Sequence, residues 1–587
     1  MVKQLLKSIR EFKLATILTP TFVVGEVIIE ALIPFLISLL INDIKAGCDL
    51  SVILGYAWKL VVLSLLSLLC GYLAGIYCAE ASTGFARNLR YDIFTNIQKF
   101  SFSNIDKFSS ASLITRLTTD IQNVQMAFMV IIRTAVRAPL NLIFSFTMAY
   151  IMGGTMAVIF LIIIPFLGIG LYLIVKTVMP IFKKGFPLFD KITRIVKENV
   201  KGIRVVKSFV REDYEINKFD ETSNDIRKMF TRAEQIIALN NPLMQISIYA
   251  VMLFVLMFGS EMIIKTNATS LDVGQLSTLM TYGFQIMVSL MMLSMVFVMI
   301  TFSEESCKRI VEVLNEKSSI TSKENAITEV KDGSIDFDHV RFKYSPTAER
   351  PVLEDIDIHI QSGETIGIIG GTGSAKSSLV QLIPRLYDVT EGTVRVGKED
   401  VRDYDLVTLR DSVAMVLQKN VLFSGTIADN IRWGNKDATL EEVKHVCHLA
   451  CADEFIEQMP DGYDTWIEQG GTNVSGGQKQ RLCIARALLK QPKILIMDDS
   501  TSAVDTKTDA IIRKAMKEYI PETTKIIIAQ RTSSVEDADR IIVLDGGKIN
   551  AIGTSEELLK TNQIYREVYL SQNKQGTEEI VEEGGVC

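Results

Sequence analysis

A run of residues near position 370 has the types and spacing that bind a triphosphate. A glycine-rich turn ends in Lys376 and Ser377, and a short apolar run, 365–369, precedes it. A strand, a glycine turn and a helix start direct backbone N–H groups and a helix dipole at one anion. Lys376 would reach the β- and γ-phosphates, and the Ser377 hydroxyl would hold Mg²⁺. The predicted binding residues are Gly370, Gly371, Thr372, Gly373, Ser374, Ala375, Lys376, Ser377 and Ser378.

A second apolar run, 493–497, is followed by Asp498 and Asp499. A carboxylate at the end of a buried strand can hold Mg²⁺ through its water shell, so Asp498 fits a Walker B aspartate. Alone this aspartate would be weak evidence, but the phosphate loop upstream makes the combination specific. Between the two lies a third element, whose residues are Ser475, Gly476, Gly477 and Gln478.

The Ser-Gly-Gly-Gln element distinguishes one family from other phosphate-loop proteins. On these motifs the chain resembles an ATP-binding-cassette exporter half-transporter over nearly its whole length. The resemblance implies a membrane all-α domain of six long transmembrane helices, the type IV ABC exporter fold. It also implies that this domain is fused to an α/β P-loop ATP-binding-cassette domain, an ATPase coupled to transport that uses ATP and Mg²⁺.

The family pattern gives roles to further residues. Tyr344 resembles the aromatic residue that stacks on adenine, with a tyrosine at a strand edge as the alternative. Gln418 resembles the Q-loop glutamine, which touches Mg²⁺ and the lytic water, and 502–505, ending in Asp505, resembles the D-loop. In this family two nucleotide domains pack head to tail, so Ser475 and Gly477 would serve the ATP of a partner chain. The expected Mg²⁺ ligands are Ser377, Gln418 and Asp498.

Three positions of the expected ATP site depart from the family pattern. Asp499 stands where the family has the glutamate that polarises water. Its carboxylate is about 1.5 Å shorter in reach, and a 1 Å displacement can cost about a hundredfold in rate. Gln530 replaces the switch histidine, and an amide can donate a hydrogen bond but cannot become cationic. Ala375 replaces the last glycine of the phosphate loop, where its methyl group would crowd the phosphates.

The changes at Asp499 and Gln530 affect hydrolysis, whereas the signature element changes only at Val474. The chain therefore resembles the degenerate-site subunit of heterodimeric bacterial multidrug exporters. The expected partner is a second half-transporter with the consensus glutamate and histidine, and the expected activity is ATP-driven export of hydrophobic or amphipathic compounds across the cell membrane. The alternatives are a lipid or peptide flippase or exporter, and a non-hydrolysing ATP-binding regulatory subunit.

The N-terminal half contains six apolar segments near or above the roughly 20 residues needed to cross a bilayer. Residues 139–175 carry no charge, which is long enough for two spans joined at Gly153 and Gly154. The segment Met1–Lys13 has apolar residues at helical spacing with lysines and arginines between them, which predicts an interfacial elbow helix. The predicted spans are 15–42, 52–80, 127–152, 154–176, 241–264 and 274–301.

Lysine and arginine concentrate in two long loops, 83–126 and 181–236. The positive-inside rule therefore predicts that these loops and both termini are cytoplasmic. The loops are amphipathic, so we expect them to extend the membrane helices into the cytosol. Their tips, near 102–109 and 209–214, would dock on the nucleotide-binding domain.

Charged residues inside two predicted spans form pairs one helical turn apart. They should face each other or a wet cavity, because an unpaired charge within the bilayer is costly. Mutual pairing and direct contact with substrate are both open. The residues are Glu26, Glu30, Arg133 and Arg137.

The sixth span is rich in methionine, which adapts its shape to varied apolar ligands. These side chains would suit a hydrophobic substrate if they face a cavity, and lipid contact or helix packing is the alternative. The residues are Met287, Met291, Met292, Met295, Phe297 and Met299.

The 587 residues are enough for several domains, and the net charge of −6 gives no reason to expect nucleic acid as a partner. Membrane lipids and a small hydrophobic substrate are the expected contacts besides the second chain. The helical pattern of the last span continues through 303–325. The predicted domains are a membrane domain at 1–315, a linker at 316–331, a nucleotide-binding domain at 332–570 and a disordered tail at 571–587.

Overall fold

The computed structural model describes residues 1–266, 269–345, 347–499 and 504–572, with the side chains of residues 183, 186 and 190 set aside. The chain divides into two compact units. The first unit comprises residues 1–99 and 108–316, and the second comprises 100–107 and the chain from 317 onward. The disordered tail predicted at 571–587 is wrong at its first two residues, which belong to the last helix, Gln563–Gln572. The rest of that tail, and Ser502 and Ala503 of the predicted D-loop, lie outside the described residues.

The first unit is built of helices, because long apolar segments satisfy every backbone hydrogen bond internally only in this form when lipid surrounds them. A 3-10 helix, Leu6–Phe12, precedes the first long helix, and a second, Gly154–Ala157, separates two others. The α-helices in chain order up to the end of this unit are α1 (Val2–Leu5), α2 (Lys13–Lys45), α3 (Leu50–Gln98), α4 (Phe102–Phe108), α5 (Ser110–Thr115), α6 (Ile121–Gly153), α7 (Val158–Lys201), α8 (Ile203–Ser208), α9 (Glu212–Ala238), α10 (Asn240–Lys265) and α11 (Val273–Asn315).

Five helical stretches of the described residues are long and apolar enough to cross a membrane. One of them, Ser110–Lys201, contains both the third and the fourth predicted spans. The helix breaks at Gly154, whose φ of 51° lies in the left-handed region that glycine tolerates. Helices α2, α3, α6, α7, α10 and α11 thus carry the six predicted spans, and α3 and α7 continue well beyond the apolar segments.

An apolar core of the first unit lies among α6, α7, α10 and α11. Phe160, Tyr282 and Ile286 are fully buried there. The Tyr282 hydroxyl donates a hydrogen bond of 2.6 Å to the carbonyl oxygen of Ala31, which ties α11 to α2. This bond satisfies the one polar atom of a large buried ring, as a buried tyrosine requires.

The second unit contains a six-stranded sheet, a four-stranded antiparallel sheet and a group of helices. Its strands are β1 (Ile335–Phe342), β2 (Leu353–Ile360), β3 (Thr365–Gly370), β4 (Glu391–Val396), β5 (Glu399–Asp400), β6 (Val413–Val416), β7 (Gly425–Thr426), β8 (Trp466–Ile467), β9 (Ile494–Asp498), β10 (Thr524–Ile528), β11 (Arg540–Asp545) and β12 (Lys548–Gly553). Its helices after α4 are α12 (Lys376–Gln381), α13 (Leu406–Ser412), α14 (Ile427–Arg432), α15 (Leu440–Leu449), α16 (Asp453–Ile456), α17 (Gly476–Leu489), α18 (Thr506–Tyr519), α19 (Ser555–Thr561) and α20 (Gln563–Gln572).

The six-stranded sheet has the order β12-β11-β3-β10-β9-β6. Strands β11, β3, β10, β9 and β6 run parallel to one another, and β12 is antiparallel. Their apolar side chains are buried, as expected for a parallel sheet covered on both faces. The carboxyl ends of parallel strands meet at one edge, which is where ligands bind in such sheets.

A second core of this unit lies around α14, α15 and α17, apart from the core that joins the two larger sheets. Val446, Leu482 and Leu488 are fully buried in it. The signature element at the start of α17 therefore belongs to a different packed layer from the phosphate loop.

The helical pattern predicted through 303–325 is wrong beyond Asn315, where α11 ends. The following chain is held in another conformation by Asn104. The Asn104 side chain donates to the carbonyl oxygen of Lys317 at 3.2 Å and accepts from the backbone N–H of Ser319 at 3.2 Å. These bonds supply the backbone partners that a longer helix would have provided.

Candidate functional site

The phosphate loop connects β3 to α12. The Lys376 ammonium lies within the loop and donates hydrogen bonds to the carbonyl oxygens of Gly370, at 2.7 Å, and Gly371, at 2.9 Å. A Cβ atom at Gly370 would lie 2.2 Å from the carbonyl oxygen of Leu544, so the neighbouring strand permits only glycine here. The loop therefore folds around the Lys376 ammonium, and α12 begins at the same residue.

Ala375, the departure within the loop, adopts a left-handed backbone with φ of 69°. Such a conformation costs a residue with a Cβ atom about 1 kcal/mol relative to glycine. The free-energy cost of having alanine instead of glycine at this position therefore arises from the backbone conformation of the loop.

Asp498 ends β9 and is 5% exposed. Burial raises the pKa of its carboxyl and the Asp499 charge raises it further, while a hydrogen bond from Ser377 and the Lys376 charge oppose them. Burial also lowers the pKa of Lys376, against the attraction of the two carboxylates. Hydroxyl, amide and carboxylate oxygens suit Mg²⁺, so Ser377, Gln418 and Asp498 would hold this ion, which neutralises phosphate charge.

Asp499, Gln530 and Gln418 converge at the carboxyl edge of neighbouring strands. They follow β9, β10 and β6 respectively, which are adjacent in the sheet. The Nε2 atom of Gln530 donates to Asp499 Oδ2 at 2.7 Å, and the Nε2 atom of Gln418 lies 3.3 Å from the same oxygen. Asp499 itself has a left-handed backbone, with φ of 48°. The two amides therefore fix the carboxylate at the position where the family has its glutamate.

Tyr344 lies beside the phosphate-loop helix. Its hydroxyl is 2.8 Å from the Ser378 hydroxyl and 3.4 Å from Gln381 Oε1, and the residue is 45% exposed. The exposed ring is available for stacking on a base, and its role on adenine stays a prediction.

Ser475 caps the N-terminus of α17 in a reciprocal capping box with Gln478. Its hydroxyl accepts from the backbone N–H of Gln478 at 3.3 Å, and Gln478 Oε1 accepts from the backbone N–H of Ser475 at 2.9 Å. Gly476 and Gly477 follow as the first helical residues. Asp505 caps α18 without a reciprocal bond, its carboxylate accepting from the Thr508 N–H at 3.0 Å.

Tyr387 is a residue of the site that the sequence reasoning missed. Its ring stands perpendicular to that of Tyr344, with centroids 5.0 Å apart. Its hydroxyl donates to Asp106 Oδ2 at 2.9 Å, within the second unit. Asp106 lies in the predicted loop tip at 102–109, but no motif marks Tyr387, so only this pairing reveals it.

The charged pairs of the first unit are partly joined by Arg137. Its guanidinium lies 3.1 Å from Glu26 Oε1 and 2.7 Å from Glu30 Oε1. Glu26 is 7% exposed, and its Oε2 has no hydrogen-bond partner among the described residues. A Cβ atom on Gly71 of α3 would lie 2.9 Å from Glu26 Oε1. Arg133 has no ion pair within the described part of the chain.

The geometry defines a P-loop ATPase unit joined to a bundle of membrane-spanning helices. A sequence model described as "ABC transporter transmembrane region" matches residues 16–302, and one described as "ABC transporter" matches residues 353–502. The Bacillus subtilis protein named "Uncharacterized ABC transporter ATP-binding protein YfiB" is 34% identical, over 94% of this chain and 96% of that protein. The chain belongs to the ABC transporter family and is a multi-pass membrane protein.

Two further similarities concern exporters. The "ATP-dependent lipid A-core flippase" of Desulfotalea psychrophila is 32% identical, over 85% of this chain and 87% of that protein. The solved structure titled "Structure of a bacterial Atm1-family ABC exporter with ATP bound" superposes with a TM-score of 0.83 and 24% identity, over 97% of this chain and 99% of that one. The predicted fold class, the type IV ABC exporter fold, is confirmed. Membership of the ABC transporter family supports an ATPase unit coupled to transport.

Proposed function

We propose that this chain is one half of a heterodimeric exporter that holds ATP in its own Walker site and hydrolyses it slowly. Its signature element completes the partner's site, where most turnover occurs. The observation that carries the proposal is the position of Asp499, whose Oδ2 faces the amide groups of both Gln530 and Gln418.

A general base must accept a proton from the attacking water. At Asp499 one carboxylate oxygen, Oδ2, already receives amide hydrogen bonds. The carboxylate is also one methylene closer to the backbone than the carboxylate of a glutamate would be. Gln530 is neutral, so it cannot supply the positive charge with which a histidine would stabilise the transition state. Binding depends instead on Lys376, which is present, and on a loop that departs from the family pattern only at Ala375.

The signature element of this chain retains the groups that an ATP of a partner would need. The capping box orders the start of α17, a helix of 14 residues, so that its first N–H groups and its dipole point outward. The chain thus combines an impaired site of its own with an intact contribution to another.

A second chain also accounts for exposed apolar residues at the tip of the loop between α8 and α9. Phe209 is 73% exposed and Val210 is 81% exposed. Apolar surface of this kind marks an interaction site, here with the nucleotide unit of a partner that carries the consensus glutamate and histidine. The lysines and arginines of the two long loops support an orientation with both termini cytoplasmic, for which the cell membrane is the proposed location.

A cavity in the first unit supports hydrophobic or amphipathic substrates. It measures about 420 Å³ and lies between α7, α10 and α11. Met291, Met292 and Met295 line it, whereas Met287 is fully buried in the core and Phe297 is 62% exposed. Asn240 also lies in the lining, but its Oδ1 atom is buried, so the cavity suits a predominantly apolar ligand.

A lipid flippase built as a homodimer is the second candidate, favoured by the similarity to the lipid A-core flippase. The two candidates differ in which substitutions stop ATP turnover. In a homodimer both sites are equivalent, so damage to either half of a site stops both.

Two substitutions in this chain separate the candidates when the exporter is purified with its partner. Gly477→Asp removes this chain's contribution to the partner's ATP and should lower ATPase activity at least about tenfold, because it places a negative charge against phosphate. Asp499→Asn alters only this chain's own Walker site and should leave more than about half of the activity. Equal and severe loss from both variants would exclude the heterodimer and favour the homodimer.

A further inference from the structure

Gln572, the last residue of α20, is hydrogen-bonded to the loop that carries Gln530. Its Nε2 atom donates to the carbonyl oxygen of Gln530 at 2.8 Å. Its Oε1 atom accepts from the backbone N–H of Thr532 at 2.9 Å and lies 3.2 Å from the Thr532 hydroxyl. A single side-chain amide thus holds both sides of the switch loop, 40 residues away in sequence.

Both ends of this contact are firmly placed. Thr532 is 1% exposed. Helix α20 is anchored by Tyr565, which is fully buried and whose hydroxyl lies 2.9 Å from that of Ser555. The Gln572 amide is therefore presented by a docked helix to a loop whose own residue, Gln530, is exposed.

We propose that Gln572 is a positioning residue for the ATP site of this chain. It fixes the backbone at 530–532 so that the Gln530 amide stays directed at Asp499, 2.7 Å away. The inference rests on the proposed function, because it explains how the switch loop is kept in the arrangement that retains ATP. The C-terminal helix is, on this account, part of the nucleotide site.

The physical reason is the cost of ordering an exposed loop. Without Gln572, the Gln530 carbonyl and the Thr532 N–H must find other partners, and the loop gains conformations in which the Gln530 side chain is directed elsewhere. The Gln530–Asp499 contact is then made for a smaller fraction of the time. ATP bound at this site should therefore dissociate faster.

The test measures how long this chain retains ATP in the full-length complex with its partner. Radiolabelled 8-azido-ATP is bound, chased with unlabelled ATP and cross-linked at intervals, and the two chains are separated on a gel. Gln572→Ala should raise the rate of label loss from this chain roughly tenfold, which corresponds to about 1.4 kcal/mol. Gln572→Glu keeps the acceptor for Thr532 but loses the donor to Gln530. Its rate of label loss should lie between those of the unaltered chain and Gln572→Ala.

The matched control is Gln563→Ala in the same helix. Gln563 donates to Glu567 at 2.8 Å on an exposed surface away from the loop, and its replacement should leave retention unchanged. If Gln563→Ala accelerated loss as much as Gln572→Ala, helix damage rather than positioning would be the cause and the inference would fall.

A second readout separates positioning from general destabilisation. If Gln572 acts through Gln530, the substitution Gln572→Ala should add nothing to Gln530→Ala, whereas independent effects would multiply. Rate effects of the two substitutions that multiply in the double variant would overturn the inference. So would ATP retention in Gln572→Ala equal to that of the unaltered chain. If the unaltered chain itself converted its label rapidly to ADP, the proposed function would fail instead.

Discussion

The Nε2 atom of Gln530 donates a hydrogen bond of 2.7 Å to Oδ2 of Asp499. The two residues follow β10 and β9, which lie side by side, so the contact is set by the sheet. Asp499 stands where the family has a catalytic glutamate, and Gln530 stands where it has the switch histidine. In the structure, the amide donor of Gln530 and the carboxylate acceptor of Asp499 are hydrogen-bond partners. On the proposed function, this pair is the reason that a site with its phosphate-loop lysine in place would bind ATP without activating water.

Restoring both family residues should restore hydrolysis. The double variant Asp499→Glu with Gln530→His extends the carboxylate and supplies an imidazole, and should raise turnover at this site about a hundredfold. The measurement is the ATPase rate of the complex after the partner's own site has been disabled. Each single variant serves as a control and should gain less, because base and switch act together. An unchanged rate in the double variant would show that another feature limits this site.

Arg137 should be required for the stability of the first unit and Arg133 should not. Arg137→Met strands the carboxylates of Glu26 and Glu30, which should cost about 3 kcal/mol because a buried charge loses its partner. Arg133→Met breaks no ion pair of the described residues. Thermal loss of the monodisperse peak in detergent should occur at a lower temperature only for Arg137→Met. Equal shifts for both variants would contradict the structure, and lost transport with intact stability in Arg133→Met would indicate substrate contact.

Gly71→Ala should damage the same cluster from the opposite helix. The added methyl group would lie 2.9 Å from Glu26 Oε1, a distance that forces the carboxylate away from Arg137. The control is Gly55→Ala in the same helix, where nothing lies within 4 Å and alanine favours the helix by about 1 kcal/mol. The yield of folded protein should fall for Gly71→Ala and should stay the same or rise for Gly55→Ala. A reversed order would show that α3 is packed differently.

Tyr387→Phe should weaken the coupling between substrate and ATPase while sparing ATP binding. The ring stays against Tyr344, but the 2.9 Å hydrogen bond to Asp106 is lost, at a cost of about 1 kcal/mol. Substrate-stimulated ATPase should fall several-fold relative to the basal rate. Tyr519→Phe, which loses an exposed bond from Gln491 at 2.9 Å, is the control and should change neither rate. If substrate stimulated the ATPase of Tyr387→Phe as strongly as that of the unaltered chain, the Tyr387–Asp106 hydrogen bond would not contribute to the coupling.

The sequence predicted the parts of the site that follow buried strands. Gln418, Asp498 and Gln530 each come directly after an apolar run, and parallel strands must end at one edge, so their convergence could be expected. The helices were predictable for a similar reason, since a charge-free stretch such as 139–175 is stable as a helix in lipid.

The remaining features depend on contacts between residues far apart in sequence. Helix α11 ends at Asn315 because Asn104, more than 200 residues earlier, binds the chain that follows. The residues near Asn315 alone do not predict this end. Gln572 and Tyr387 belong to no motif, and the fold alone brings them to the site. The left-handed backbone of Ala375 is likewise set by the loop around it.

The most direct test of the account is a single-turnover experiment on this chain's own Walker site. The complex is loaded with radiolabelled ATP at substoichiometric amounts, and the nucleotide cross-linked to this chain is identified as ATP or ADP over time. The label on this chain should remain ATP for a period many times longer than one turnover of the partner's site takes. Conversion to ADP at the rate of the partner's site would contradict the account.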